Sequence, residues 1–258
     1  MEVHMSLEGK LALVTGASMP HGIGKAIAVT LAKEGADVVV TGYNNMDGVK
    51  AVVEEIKALG RRSMALRMNG RDYADVQKGF QAIKAELGPV NILVNNAAQM
   101  RRMVTLAKAT PEDWDAEVKL CLNSAFYCIK EAWTDMCANK WGRIVNMSSV
   151  AGMLGGYGQT SYAAAKAGLI GLAKSVALEG ARFNITANTV VIGIANTEAY
   201  YEPIPPEVRQ KVEKRTALGR PAEPQEIADA VAFVVSDKAA YMTGALVNMM
   251  GGEDLFVF

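Results

Sequence analysis

Apolar strand-like runs and amphipathic helical stretches alternate along almost the whole chain, and this alternation limits the fold more than any other feature. Leu11-Ala12-Leu13-Val14-Thr15-Gly16 is a short apolar run ending in glycine, as a buried parallel strand would be. Gly22-Ile23-Gly24 then opens a helix predicted through about Glu34-Gly35, and Asp37 to Thr41 reads as the next strand. Helices are expected around Gly48–Leu59, Ala74–Leu87 and Pro111–Ala138. Strands are expected at Ser63–Met68, Asn91–Asn95 and Arg143–Met147. A helix carrying Tyr162 runs to about Ala181, and Asn184–Val191 follows as a strand. Glu226–Val235 is a short amphipathic helix and Ala245–Met249 a last strand. Such regularity predicts an α/β fold with a doubly wound parallel sheet and helices on both faces. With no repeat, low-complexity tract or linker, residues 1–258 form one domain.

The first strand, its glycine-rich turn and the helix that follows make the geometry in which a helix N-terminus receives a pyrophosphate. One segment breaks the rhythm. Residues 193–220 carry Tyr200-Tyr201-Glu202-Pro203-Ile204-Pro205-Pro206 and a charged helical stretch, Glu207–Arg215. An excursion beyond the carboxyl ends of the strands lies where open α/β sheets bind ligands, so it is expected to be a substrate lid; an oligomer contact is the other possibility.

Composition removes several classes. Lysine plus arginine equals aspartate plus glutamate at 27 each, which leaves no basic footprint for nucleic acid or anionic lipid. No apolar run reaches membrane-spanning length and the N-terminus lacks a secretory core. Cys121, Cys128 and Cys137 fall on one predicted helix with neither zinc nor disulfide spacing, which suits reduced thiols in a cytoplasmic protein. No metal site is expected, since the two histidines lack ligand spacing.

The candidate chemistry sits at Ser149-Val150-Ala151-Gly152 and Tyr162-Ala163-Ala164-Ala165-Lys166. A tyrosine and a lysine four residues apart share one helix face. An ammonium there favours the phenolate, and a serine at the preceding strand end can steady a substrate oxygen. This suits proton exchange on an alcohol or carbonyl. Alone, Tyr-x-x-x-Lys is common on helix surfaces; the serine, glycines and strand give it meaning.

These pieces, with Thr15-Gly16, Gly22-Ile23-Gly24, Asn95-Asn96-Ala97, Val190 through Thr197, Leu218-Gly219-Arg220-Pro221 and Thr243-Gly244-Ala245 with Gly251-Gly252, make the whole chain resemble a short-chain dehydrogenase/reductase. The resemblance implies a Rossmann fold and NAD(P)-dependent interconversion of a secondary alcohol and a ketone. It makes Tyr162 the general acid/base, Ser149 the holder of the substrate oxygen, and Lys166 the partner of both Tyr162 and the nicotinamide ribose. Cofactor contacts are implied at Gly16, Gly22, Ile23, Gly24, Asn69, Asn96, Ala97, Tyr162, Lys166, Gly193 and Thr197. It also implies a dimer or tetramer built through the Pro111–Ala138 and Tyr162 helices. The ending Gly251-Gly252-Glu253-Asp254-Leu255-Phe256 is similar to short-chain dehydrogenases of anaerobic aromatic degradation. That likeness implies a β-hydroxyacyl-CoA substrate and a two-subunit assembly. Tyr157, Gln159, Tyr200 and Tyr201 are pocket candidates, His21 could lie near phosphates or in solvent, and Arg101-Arg102 could meet acidic substrate groups or water.

Five positions depart from the family pattern. The turn Thr15–Gly24 is two residues longer than usual. Gly42, followed by Tyr43-Asn44-Asn45, replaces the acid that holds a ribose diol, and no arginine stands nearby in sequence for a 2′-phosphate; the choice between NAD and NADP is open, with NADP penalised for want of a cation. Asn69 replaces an aspartate at the adenine. Cys121 occupies the place of the asparagine that completes a proton relay, and Ile192-Gly193 replaces Pro-Gly. All five touch cofactor or relay. The expectation is therefore a working oxidoreductase with weakened cofactor binding, against a silent, cofactor-poor subunit assembling with an active paralogue.

Overall fold

The computed structural model describes residues 7–99, 103–201 and 205–255. Seven parallel strands form one sheet in the order β3-β2-β1-β4-β5-β6-β7: β1 Leu11–Val14, β2 Asp37–Gly42, β3 Ser63–Arg67, β4 Ile92–Asn95, β5 Gly142–Ser149, β6 Ile185–Ile192 and β7 Leu246–Met249. The helices are α1 Ile23–Lys33, α2 Met46–Ala58, α3 Tyr73–Glu86, α4 Pro111–Val118, α5 Ser124–Asn139, α6 Val150–Leu154, α7 Thr160–Gly180, α8 Glu198–Tyr201, α9 Pro206–Glu213 and α10 Pro224–Val235. This is the expected single-domain, doubly wound Rossmann architecture. Predicted boundaries move by a residue or two, where caps decide the ends. Asn45 accepts the Gly48 N–H at 2.9 Å and starts α2 two residues early. Asp72 does the same for α3 through Ala74 N–H at 2.9 Å.

Each strand feeds two cores because successive side chains point to opposite faces. On β1, Ala12 and Val14 join α1, α2 and α10 through Ile27, Leu31, Val52, Ile56, Ile227 and Val231. Leu11 and Leu13 join α3 and α5 through Val76, Phe80, Ile83, Ile129 and Met136 on the other face. Near-continuous apolar strands are the consequence of covering both faces. The strand order reverses between β1 and β4, and a crevice opens there at the carboxyl ends.

Two elements were not legible in the sequence. The single helix expected over Pro111–Ala138 is interrupted by a π-helical turn at Lys119–Asn123, which carries Cys121. The glycine-rich stretch after Ser149 begins with the short helix α6 instead of passing directly into a turn. Residues 193–220 fold as α8 and α9 with connecting turns beyond the end of β6.

Candidate active site

A cleft of about 640 Å³ runs along the carboxyl ends of β1, β4, β5 and β6. The glycine-rich turn forms one end. Gly16 has φ +71°, and a Cβ on it would lie 2.7 Å from the Cα of Ala97. Gly24 presses as closely: a Cβ there would meet Asn96 Nδ2 and the Gly16 carbonyl oxygen, each at 2.6 Å. Asn96 holds this turn from β4, its amide donating to the carbonyls of Thr15 at 2.9 Å and Gly16 at 3.0 Å. Thr15 Oγ1 in return accepts the backbone N–H groups of Asn96 and Ala97. Backbone N–H groups and the start of α1 thereby face open space with no Cβ in the way.

At the other end, Ser149 closes β5, in register with Ile192, the last residue of β6. Its Oγ accepts the Ala151 N–H at 3.2 Å and so caps α6. Tyr162 and Lys166 stand one turn apart on α7. The Lys166 ammonium is buried, donates to the Met147 carbonyl at 2.7 Å and lies 5.6 Å from the centroid of the Tyr162 ring. Ser148 Oγ donates to the Lys166 carbonyl at 2.8 Å, tying α7 to β5 a second time. The trio expected from sequence is thus brought to one cleft.

Of the expected cofactor contacts, Gly16, Gly22, Ile23, Gly24, Asn96, Tyr162, Lys166, Gly193 and Thr197 line this cleft. Ala97 is not in its wall; it packs under Gly16. Asn69 also lies outside the wall, and its side-chain oxygen accepts the Arg71 N–H at 3.2 Å. Tyr157, Gln159 and Tyr200 do line the cleft. The side chain of Tyr201, with Arg101 and Arg102, falls outside the described residues. His21 is exposed. Cys121 is buried in the π turn; burial raises its thiol pKa, while the Lys166 charge and the Gln99 backbone act in the opposite sense.

One expectation is corrected. The sequence neighbourhood of Gly42 lacks a cation, but β3 supplies one: Arg67 pairs in register with Gly42. Its guanidinium lies 4.5 Å from the centroid of the Tyr43 ring, and its Nε donates to the Tyr43 carbonyl at 3.2 Å. A cross-strand neighbour 25 residues downstream of Gly42 cannot be seen in a linear scan.

Other residues in the wall had no sequence signal. Glu198 and Glu253 each place one carboxylate oxygen, Oε2, in a buried position without a hydrogen-bond partner. Burial raises the Glu253 pKa, with Arg215 lowering it and Asp254 raising it. Glu253 Oε2 would stand 2.7 Å from a Cβ on Gly193. Among the described residues no group of three or more His, Cys, Asp or Glu could hold a metal ion, and no helix is long and apolar enough to cross a membrane.

A parallel sheet, a glycine cradle at its switch point and a Ser–Tyr–Lys cleft define a nucleotide-binding oxidoreductase. Comparison with known proteins agrees. The family model described as enoyl-(acyl carrier protein) reductase matches residues 16–253. The chain is 41% identical over 248 residues to the 3-oxoacyl-[acyl-carrier-protein] reductase FabG of Escherichia coli, covering 96% of this chain and 98% of that protein. It is 37% identical to FabG of Aquifex aeolicus over 251 residues, or 97% and 99% of the two chains. A solved short-chain dehydrogenase/reductase double mutant from Serratia marcescens superposes with a TM-score of 0.89 at 31% identity, covering 96% of this chain and 98% of that one. The chain belongs to the short-chain dehydrogenase/reductase family.

Proposed function

We propose that the protein is a nicotinamide-dependent reductase of 3-oxoacyl thioesters, working in either direction between the ketone and the secondary alcohol. The observation that carries this is the convergence of Ser149, Tyr162 and buried Lys166 on the same cleft as the glycine cradle. Packing alone asks for no such trio. The substrate class rests on the acyl-carrier relatives and on the apolar mouth of the cleft, where Met103 and Tyr157 are largely exposed.

The cradle fits a dinucleotide, since a Cβ at Gly16 or Gly24 would collide with the backbone that shapes it. Gly16, Gly22, Ile23 and Gly24 would hold the pyrophosphate, and Lys166, Gly193 and Thr197 the nicotinamide end. When bound, the dinucleotide supplies the hydride. The chain does the proton chemistry: Ser149 Oγ donates to the substrate oxygen and holds it still, and Tyr162 exchanges a proton with that oxygen. Lys166, anchored to Met147, keeps a positive charge beside the phenol and orients α7.

NADPH is the favoured carrier. A Cβ on Gly42 would lie 2.5 Å from Val49 Cγ2, so the acid that reads a ribose diol has no room there. Arg67 stands beside the same strand end, and among the described residues no carboxylate is paired with it. The protein is proposed to act as a dimer or tetramer, with exposed Trp114, Phe126 and Leu178 on α4, α5 and α7 available to cover. A reducing cytoplasmic setting suits its three free cysteines.

The second reading, a silent subunit paired with an active paralogue on an acyl-CoA, is favoured by Cys121 beside Lys166 and by the engaged oxygen of Asn69. One assay separates the two. Purified protein alone should oxidise NADPH in the presence of acetoacetyl thioesters, and Tyr162→Phe should lose about 10²–10⁴ of that rate while keeping its melting temperature. Equal turnover by Tyr162→Phe defeats the first reading; no turnover by the parent protein, restored on adding a paralogue, establishes the second.

A further inference from the structure

The glycine-rich turn already holds an anion supplied by the chain itself. Glu198 opens α8, just beyond Thr197, and its Oε1 accepts the backbone N–H of His21 at 2.7 Å. His21 immediately precedes Gly22 in the turn where the phosphates of a dinucleotide would be received. The second oxygen, Oε2, is buried and has no hydrogen-bond partner. Among the described residues no cation is paired with this carboxylate. A carboxylate on a backbone N–H is the chemistry of a phosphate on the same donor, at similar length and with charge of the same sign. The two cannot share the turn: the donor is single, and like charges in a partly buried cleft repel.

We propose that Glu198 is a latch that sets dinucleotide affinity, holding the segment after β6 against the turn until a phosphate displaces it. This rests on the dinucleotide reading of the cleft given above. Three features fit the assignment. The contact spans 177 residues of sequence, so it joins two separate walls of the cleft. Glu198 lines the cleft next to Thr197, so its release frees the residue expected at the nicotinamide end. The unpartnered Oε2 makes the latched state costly in desolvation, and a contact that is not fully satisfied is one that a better anion can replace. Entry of cofactor and release of the segment carrying α8 thereby become one event.

Two measurements test the latch, one of them without any cofactor. In hydrogen exchange on the free protein, the His21 amide is expected to be protected in the parent chain and in Glu198→Gln, which keeps an acceptor, and unprotected in Glu198→Ala. In calorimetric titration with NADPH, Glu198→Gln is expected to bind more tightly than the parent because the repelling charge is gone. Glu198→Ala is expected to gain at least about tenfold, the factor that corresponds to roughly 1.4 kcal/mol. An unprotected His21 amide in the parent overturns the latch. So does an affinity in Glu198→Ala equal to or weaker than that of the parent, which would make Glu198 a bystander or a holder of the cofactor. Binding by none of the three proteins removes the dinucleotide reading itself, and the latch with it, whereas parent binding with no gain in the variants removes the latch alone.

Discussion

Gly24→Ala isolates the part of the cleft that does no chemistry. The added methyl would sit 2.6 Å from the Gly16 carbonyl oxygen, 2.6 Å from Asn96 Nδ2 and 3.0 Å from the Ala17 Cα. Two of these are backbone atoms that cannot swing aside. The third belongs to the amide that ties the turn to β4 through hydrogen bonds of 2.9 and 3.0 Å. Overpacking of this kind costs about 1–3 kcal/mol. Loss of the Asn96 clamp adds about 1 kcal/mol for each hydrogen bond. Relaxation at the exposed edge of the turn recovers part of that, so a total near 2–3 kcal/mol is expected. For a domain of this size that lowers the melting temperature by about 4–12 °C. Affinity for NADPH should fall at least tenfold, because the donors of the turn are displaced. Thermal denaturation and calorimetric titration read the two effects on one preparation. An unchanged melting temperature with unchanged affinity would refute the close-packed cradle.

Other sites respond differently. Arg67→Ala should weaken NADPH by about fivefold to thirtyfold, the range for an exposed charge-assisted contact, and leave NADH unchanged; the ratio of the two dissociation constants is the measurement. Cys121→Asn should raise kcat severalfold at constant cofactor affinity if the thiol interrupts proton relay, and steady-state kinetics with a direct binding control decide it. Arg220 forks onto Glu226 with both contacts at 2.7 Å, and this partner, followed by the Glu223 backbone N–H, holds the Glu226 carboxyl at about 2 against an ordinary 4.5. A depressed carboxylate stabilises the fold above its unfolded pKa and loses that contribution as pH falls from about 4.5 through about 2. The pair is about half exposed, so Arg220→Gln should cost no more than about 1 kcal/mol at neutral pH and nothing below pH 2, as read from urea unfolding across that range.

The fold and the trio were legible because they rest on local signals. Period-two apolar strands, capped amphipathic helices and glycine at Gly16 and Gly24 each act within a few residues. The i, i+4 relation of Tyr162 and Lys166 needs nothing from the rest of the chain. What remained hidden depends on juxtaposition across the sheet. Arg67 reaches Gly42 through strand register, and Glu198 reaches His21 through the folding back of the segment after β6. Asn96 resembles a cofactor ligand in sequence, yet its amide is spent on the carbonyls of the turn. The π turn at Lys119–Asn123 leaves no compositional trace, since it changes the hydrogen-bond pattern of a helix without changing its residues. Asn69 failed for a similar reason: a neighbouring backbone N–H already occupies the oxygen that was expected to serve adenine.

The central claim is that this cleft takes a nicotinamide dinucleotide by itself. Calorimetric titration of the purified chain with NADPH and then NADH tests it without a substrate, a partner or turnover. Micromolar binding, about −8 kcal/mol, with NADPH the tighter of the two, is the expected result. Heat of dilution alone with both dinucleotides, from a folded protein, would contradict it.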